Sequence, residues 1–93
     1  MHKDRVLIVE DDKEVSDVLR DYLEDKGYEV TVAASCAIAE QLWRSSRPDV
    51  AILDYNLPDG SALGLLPSLK TVDPSIPVII LTGYGSIDLA VQA

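Results

Sequence analysis

Phenylalanine is absent from this chain of 93 residues, tryptophan occurs once and tyrosine four times. A core must therefore be built from aliphatic side chains, and an apolar fraction of 47% supports one and argues against disorder. The single cysteine, Cys36, excludes an internal disulfide and fits a reducing compartment. Basic residues are scarce: eight Lys and Arg stand against sixteen Asp and Glu, a formal charge of −8. Such a surface repels nucleic acid and anionic membranes, so neither is expected as a direct partner. No apolar run approaches the roughly 18 residues of a membrane span. Met-His-Lys-Asp-Arg leads into the first apolar run without the features of a signal peptide. Repeats, low-complexity tracts and linkers are missing as well. The expectation is one small domain over residues 1–93, located in the cytoplasm.

What is present is an alternation of short apolar runs and amphipathic stretches. Arg5 to Val9, Val50 to Leu53 and Val78 to Leu81 are continuous apolar runs of the kind buried on both faces of a parallel sheet. Tyr28 to Ala33 instead alternates, which suits an edge strand. Between them, Val15, Val18, Leu19, Tyr22 and Leu23 recur at helical spacing and predict a core-facing stripe, with Asp12 as N-cap and Gly27 at the C-terminal end. Ser35 is placed to cap a second helix carrying Ile38, Ala39, Leu42 and Trp43, which Pro48 blocks from continuing. A third helix is expected from about Ala62 to Lys70, burying Leu63, Leu66 and Leu69, with a kink or break at Pro67. Ser86 is placed to cap a fourth. The β-α-β-α-β-α-β-α order predicts right-handed crossovers and a flavodoxin-like, doubly wound α/β sheet in which the four strands lie in the order 2-1-3-4.

In such a sheet the first and third strands meet at a switch point, and ligands bind in the crevice beyond their carboxyl ends. Glu10, Asp11 and Asp12 end the first strand and Asp54 ends the third. Either set alone reads as helix or turn capping; together they converge on one crevice, where they cannot all ionise comfortably. A hard divalent cation resolves that repulsion, and Mg²⁺ suits an all-oxygen site of few carboxylates completed by water and phosphate oxygens. His2 and Cys36 are badly placed for zinc. Beside a cation, a carboxylate such as Asp54 is a competent nucleophile toward phosphorus. Backbone N–H groups at Tyr55 and Asn56, with the Thr82 hydroxyl and the Gly83 N–H one strand over, would receive the phosphoryl oxygens.

Val-Leu-Ile-Val-Glu-Asp-Asp (6–12), Leu-Asp-Tyr-Asn-Leu-Pro-Asp-Gly (53–60) and Val-Ile-Ile-Leu-Thr-Gly-Tyr-Gly (78–85) together resemble the response-regulator receiver domain of two-component signalling. The resemblance implies that Asp54 is the phosphoacceptor, that Glu10 and Asp11 hold Mg²⁺, and that the Asn56 carbonyl completes the metal site. It implies that Thr82 is the switch hydroxyl, and that Asn56 and Tyr84 occupy the two positions that tune phosphoryl lifetime. The partners it implies are a sensor histidine kinase and an output domain or protein, often one that regulates transcription. The implied role is that of a signalling phosphoprotein, not an enzyme.

The chain departs from the family where a lysine at the end of a fifth strand would bind the phosphoryl group, since no lysine follows Lys70. Neither that strand nor the last helix is expected in these residues, which read as an incomplete receiver. Without it Val78 to Leu81 is expected to be an open apolar edge, through which two copies could pair as a homodimer. Two other readings remain at this point. One is a receiver-like interaction module that is not phosphorylated for want of the lysine. The other is an aspartate-nucleophile phosphatase, which wants an acid two residues after the nucleophile, where Asn56 stands.

Overall fold

The computed structural model describes residues 3–81 and the backbone of residues 87 and 88. Its elements are β1 (Arg5–Val9), α1 (Lys13–Asp25), β2 (Glu29–Ala33), α2 (Cys36–Ser46), β3 (Val50–Asp54), β4 (Asn56–Leu57), β5 (Gly60–Ser61), α3 (Ala62–Val72), β6 (Val78–Leu81) and β7 (Ile87–Asp88). The main sheet runs β2-β1-β3-β6-β7, and its first four strands are parallel, in the order expected.

Capping residues set the helix boundaries. The Asp12 carboxylate accepts from the N–H groups of Glu14 and Val15, and Ser35 Oγ accepts from Ile38, so both helices start where short polar side chains satisfy their first free donors. Gly27 follows α1 with φ +97°, the left-handed conformation in which glycine carries no Cβ penalty. Ser61, which sequence reading did not single out, caps α3 by accepting from Gly64.

The core lies on one side of the sheet. Leu7 and Val9 of β1, Ala51 and Leu53 of β3, and Val78 and Ile80 of β6 face α2 and α3, where Trp43, Ala39, Leu65 and Leu69 close over them. The opposite side is less covered. Val6 and Ile8 are buried, but Ile52, Ile79 and Leu81 are only half-buried, so β3 and β6 are not the doubly buried strands their composition implied.

Three helical expectations need correction. On α1 the predicted core stripe is largely exposed: Val18 and Tyr22 keep 68% and 62% of their surface and Val15 is exposed, while Leu19 and Leu23 are half-buried and the one buried residue is Ser16. The α3 helix runs unbroken through Pro67 to Val72, and its buried positions are Ala62, Leu65 and Leu69; Leu63 is exposed and Leu66 half-buried. Pro67 removes one N–H from the helix ladder, and the Thr71 hydroxyl donates to the Pro67 carbonyl one turn on. Finally, Ile87 and Asp88 do not open a helix. They form β7, antiparallel to β6, with Asp88 beside Ile80 and Ile87 beside Leu81. An unpaired strand edge offers a row of donors and acceptors, and here the chain's own continuation takes part of it. The edge expected to be open along Val78 to Leu81 is therefore paired over its second half. Ser86 lies outside the described residues.

These burial differences predict unequal costs for two apolar truncations. Leu69→Ala should lose about 2–5 kcal/mol of unfolding free energy, whereas Val18→Ala should change it by less than about 0.5 kcal/mol. Urea unfolding checks this, and similar losses in both variants would mean that the α1 stripe is packed.

Candidate functional site

Register brings the acids together. Val9 of β1 stands beside Leu53 of β3 in the parallel ladder, so the next residues, Glu10 and Asp54, leave adjacent strand ends side by side. The Glu10 N–H donates to the Ala33 carbonyl (2.9 Å), which fixes its backbone against β2. Asp11 follows before the Asp12 cap turns the chain into α1. Ligand oxygens of Glu10, Asp11 and Asp54 all lie within 4.8 Å of one another, with Glu10 buried, Asp54 half-buried and Asp11 exposed.

The electrostatic cost falls on Glu10. Burial, opposed by a long hydrogen bond from the Asp12 N–H (3.4 Å) and reinforced by the Asp54 carboxylate and then by Asp11, raises its pKa from 4.5 to about 7. Glu10 is thus protonated in part near neutrality, the response expected of a buried carboxyl with two others beside it. Its donors are hard oxygens drawn from two strand ends, a set that fits Mg²⁺.

After Asp54 the chain forms a hairpin. The Tyr55 N–H donates to the Leu81 carbonyl (2.9 Å) and the Tyr55 carbonyl accepts from Ala62 (3.0 Å). The first of these bonds corrects the expectation that the Tyr55 N–H is free to meet a phosphoryl oxygen, because extension of the β3–β6 ladder has already engaged it. Asn56 differs. Its neighbours Tyr55–Ala62 and Leu57–Gly60 are the bonded pairs of the β4–β5 hairpin, which makes Asn56–Ser61 a non-bonded pair and turns the Asn56 N–H and C=O away from the partner strand. The hairpin pairing therefore engages neither group. Thr82, Gly83 and Tyr84 lie outside the described residues.

Sequence reading missed Asp59. Its carboxylate reaches from the hairpin tip to α2 and accepts from the N–H groups of Cys36 (2.8 Å) and Ala37 (3.2 Å). The partners are 22 and 23 residues away, and only the fold brings them together.

A family model described as the response regulator receiver domain matches residues 6–93. The chain belongs to that family. Receiver domains bind Mg²⁺ at an acidic pocket, and this receiver has an acid cluster of Glu10, Asp11 and Asp54. Among similar proteins, the sporulation initiation phosphotransferase F of Bacillus subtilis is 32% identical over 89 residues, covering 96% of this chain and 72% of that protein. The luminescence regulatory protein LuxO of Vibrio campbellii is 34% identical over 86 residues, 92% of this chain. The receiver spans 19% of that relative's length. Among solved structures, the CheY-like receiver domain protein of Methanospirillum hungatei superposes with a TM-score of 0.86 at 33% identity, over 91% of this chain and 68% of that one. Receivers of this kind act in two-component systems, and relatives include transcription regulators. No helix among the described residues is long and apolar enough to cross a membrane.

The raised Glu10 pKa fixes the sign of one pH effect. Between about pH 4.5 and pH 7 the folded state holds a proton that the unfolded chain has lost, so stability falls as pH rises through that window. Without divalent cations, Glu10→Gln should remove this slope and be more stable than the parent at pH 8 by on the order of 3 kcal/mol, at about 1.4 kcal/mol per pKa unit. Urea midpoints at pH 5 and pH 8 test it; parallel pH profiles for the two proteins would show that Glu10 ionises normally.

Proposed function

We propose that this receiver is a phosphoacceptor: the Asp54 carboxylate takes a phosphoryl group from the phosphohistidine of a sensor histidine kinase, and the change at its surface regulates an output partner. The observation that carries this reading is the meeting of Glu10, Asp11 and Asp54 within 4.8 Å at the sheet's switch point. An Asp54 oxygen attacks phosphorus, the phosphorus–nitrogen bond to the donor imidazole breaks, and its electron pair stays on that nitrogen. Glu10, Asp11, Asp54 and the Asn56 carbonyl would hold Mg²⁺, which neutralises charge on the transferring group when bound. The Asn56 N–H, which the hairpin leaves free, would donate to a phosphoryl oxygen. The Thr82 hydroxyl and the Gly83 N–H are assigned the same task from their sequence motif.

The exposed face of α1 supports a docking surface for the phosphodonor. The α1 helix begins two residues after Asp11 and exposes Val15, Val18 and Tyr22. A phosphodonor protein approaching Asp54 would meet that apolar strip, and acidic neighbours such as Glu14 and Asp21 favour a basic counterpart. In the cytoplasm this partner is the kinase. Pairing of two copies through β6 has less to build on, because β7 occupies the edge at Ile80 and Leu81. Phosphatase activity lacks its second acid, since Asn56 cannot serve as one.

Incubation with Mg²⁺ and a small phosphodonor should add one phosphoryl mass to the protein, and Asp54→Asn should add none. Intact-protein mass spectrometry reads both outcomes. No adduct on the parent would favour the interaction module, and repeated turnover of a phosphomonoester would favour the phosphatase.

A further inference from the structure

The hairpin that follows Asp54 is held at three points. At its base Tyr55 is bonded to Leu81 and Ala62. At its middle Leu57, 8% exposed, inserts into the core. At its tip the Asp59 carboxylate spans to α2, accepting from Cys36 and Ala37. That last bond is local in space but joins two otherwise separate parts. Ser35 already caps α2 through Ile38, so Asp59 supplies a second cap from another element. Beside it, Cys36, Glu40, Asp59 and Leu65 line an open cleft of about 310 Å³, so the tip meets α2 through these bonds and the Cys36 thiol rather than through a filled core.

We propose that Asp59 is a positioning residue for the phosphoryl site: by tying the hairpin tip to the start of α2 it fixes the Asn56 backbone groups, and it relays the state of Asp54 to that helix. The inference rests on the phosphoacceptor reading above. Asn56 lies between the base and the tip of the hairpin, two residues from Asp54 and three from Asp59. With the base bonded and Leu57 buried, loss of the tip leaves the hairpin attached but free to pivot, and the Asn56 N–H and C=O move with it. Small displacements of preorganised donors matter, because such groups act only at hydrogen-bond distance from the charge they receive. In the other direction, a phosphoryl group drawing on Asn56 pulls the tip and with it the first turn of α2.

The environment of Cys36 supplies a built-in reporter. A Cβ placed on Gly60 would lie 3.4 Å from Cys36 Sγ, so the thiol packs against the hairpin. Burial first, and the Asp59 carboxylate second, push the thiol up to about 11, which suppresses its thiolate. The same bonds to Cys36 and Ala37 hold the Asp59 carboxyl below its ordinary range, so the tie is intact at neutral pH and is lost only in acid. Movement of the tip therefore changes the rate at which Cys36 is alkylated.

The test compares the parent chain with Asp59→Ala, Asp59→Asn and Ser35→Ala. Ser35→Ala weakens the same helix start without touching the hairpin. Beryllofluoride with saturating Mg²⁺ is the probe, its adduct followed by fluorine NMR, and urea unfolding confirms that each variant is folded. We expect Asp59→Ala to weaken beryllofluoride about tenfold, Asp59→Asn to fall between it and the parent because one acceptor oxygen survives, and Ser35→Ala to stay within about twofold. Saturating beryllofluoride should alter Cys36 alkylation by iodoacetamide in the parent and leave it unchanged in Asp59→Ala. If Asp59→Ala does not fold, Asp59→Asn carries the comparison. Equal affinities for the parent and the Asp59 variants, or equal losses in Asp59→Ala and Ser35→Ala, overturn the inference while the receiver reading stands. No adduct on the parent overturns both.

Discussion

A parallel register forces like charges together, and the functional part of the molecule follows from that. Once Val9 pairs with Leu53, the carboxylates of Glu10 and Asp54 leave the sheet as neighbours, and Asp11 joins them before Asp12 starts α1. The register is in turn locked by the side chains behind it. Leu7 and Val9 pack on the same face as Ala51 and Leu53, beneath Trp43 and Leu69, and a slip of one residue would turn them to the other side. Core packing thus maintains an arrangement that the carboxylates by themselves would oppose. The opposition is concentrated on Glu10, the buried member, and it is relieved by a proton or by a cation. A site that needs positive charge to be comfortable is well suited to chemistry on a phosphoryl group, whose own charge calls for the same cation.

Coverage of the sheet is unequal, and that inequality separates structural from interactive surfaces. One face, under α2 and α3, carries nearly the whole aliphatic core. The other face has α1 alone among the described residues, and α1 turns Val15, Val18 and Tyr22 outward. The helix that presents apolar surface is thus the one that begins at the acid cluster. On the packed side, the β4–β5 hairpin joins the end of β3 at Asp54 to the start of α2 through Asp59.

Much of this was legible in the residues. Three short aliphatic runs, each closed by polar residues, mark three of the parallel strands, the alternation of Tyr28 to Ala33 marks the edge strand that sets their order, and Asp12, Gly27 and Ser35 mark helix ends through local chemistry that needs no tertiary context. The acid cluster was legible too, because the topology places the ends of β1 and β3 together. What failed was whatever depends on which neighbour occupies a face. Helical spacing on α1 identified a stripe without saying what lies against it. In α3 the burial phase was set by Ala62 and Leu65, small and large residues that fit against α2, and not by the more conspicuous Leu63. Tyr55 looked free because a sequence does not show that the ladder with β6 continues past Asp54. Asp59 looked like an ordinary turn residue because its partners are remote in the chain. Ile87 and Asp88 follow a good capping residue, yet the edge of β6 claimed them as a strand.

The central proposal is that Glu10, Asp11 and Asp54 form one cation site from which Mg²⁺ displaces the proton of Glu10. Titration calorimetry with Mg²⁺ in buffers of different ionisation enthalpy counts the protons released on binding. With Glu10 titrating at about 7, the account predicts release of roughly one proton at pH 6, close to none at pH 8, and none at either pH in Glu10→Gln. Binding that releases the same number of protons at both pH values, or that survives unchanged in Asp54→Asn, would contradict it.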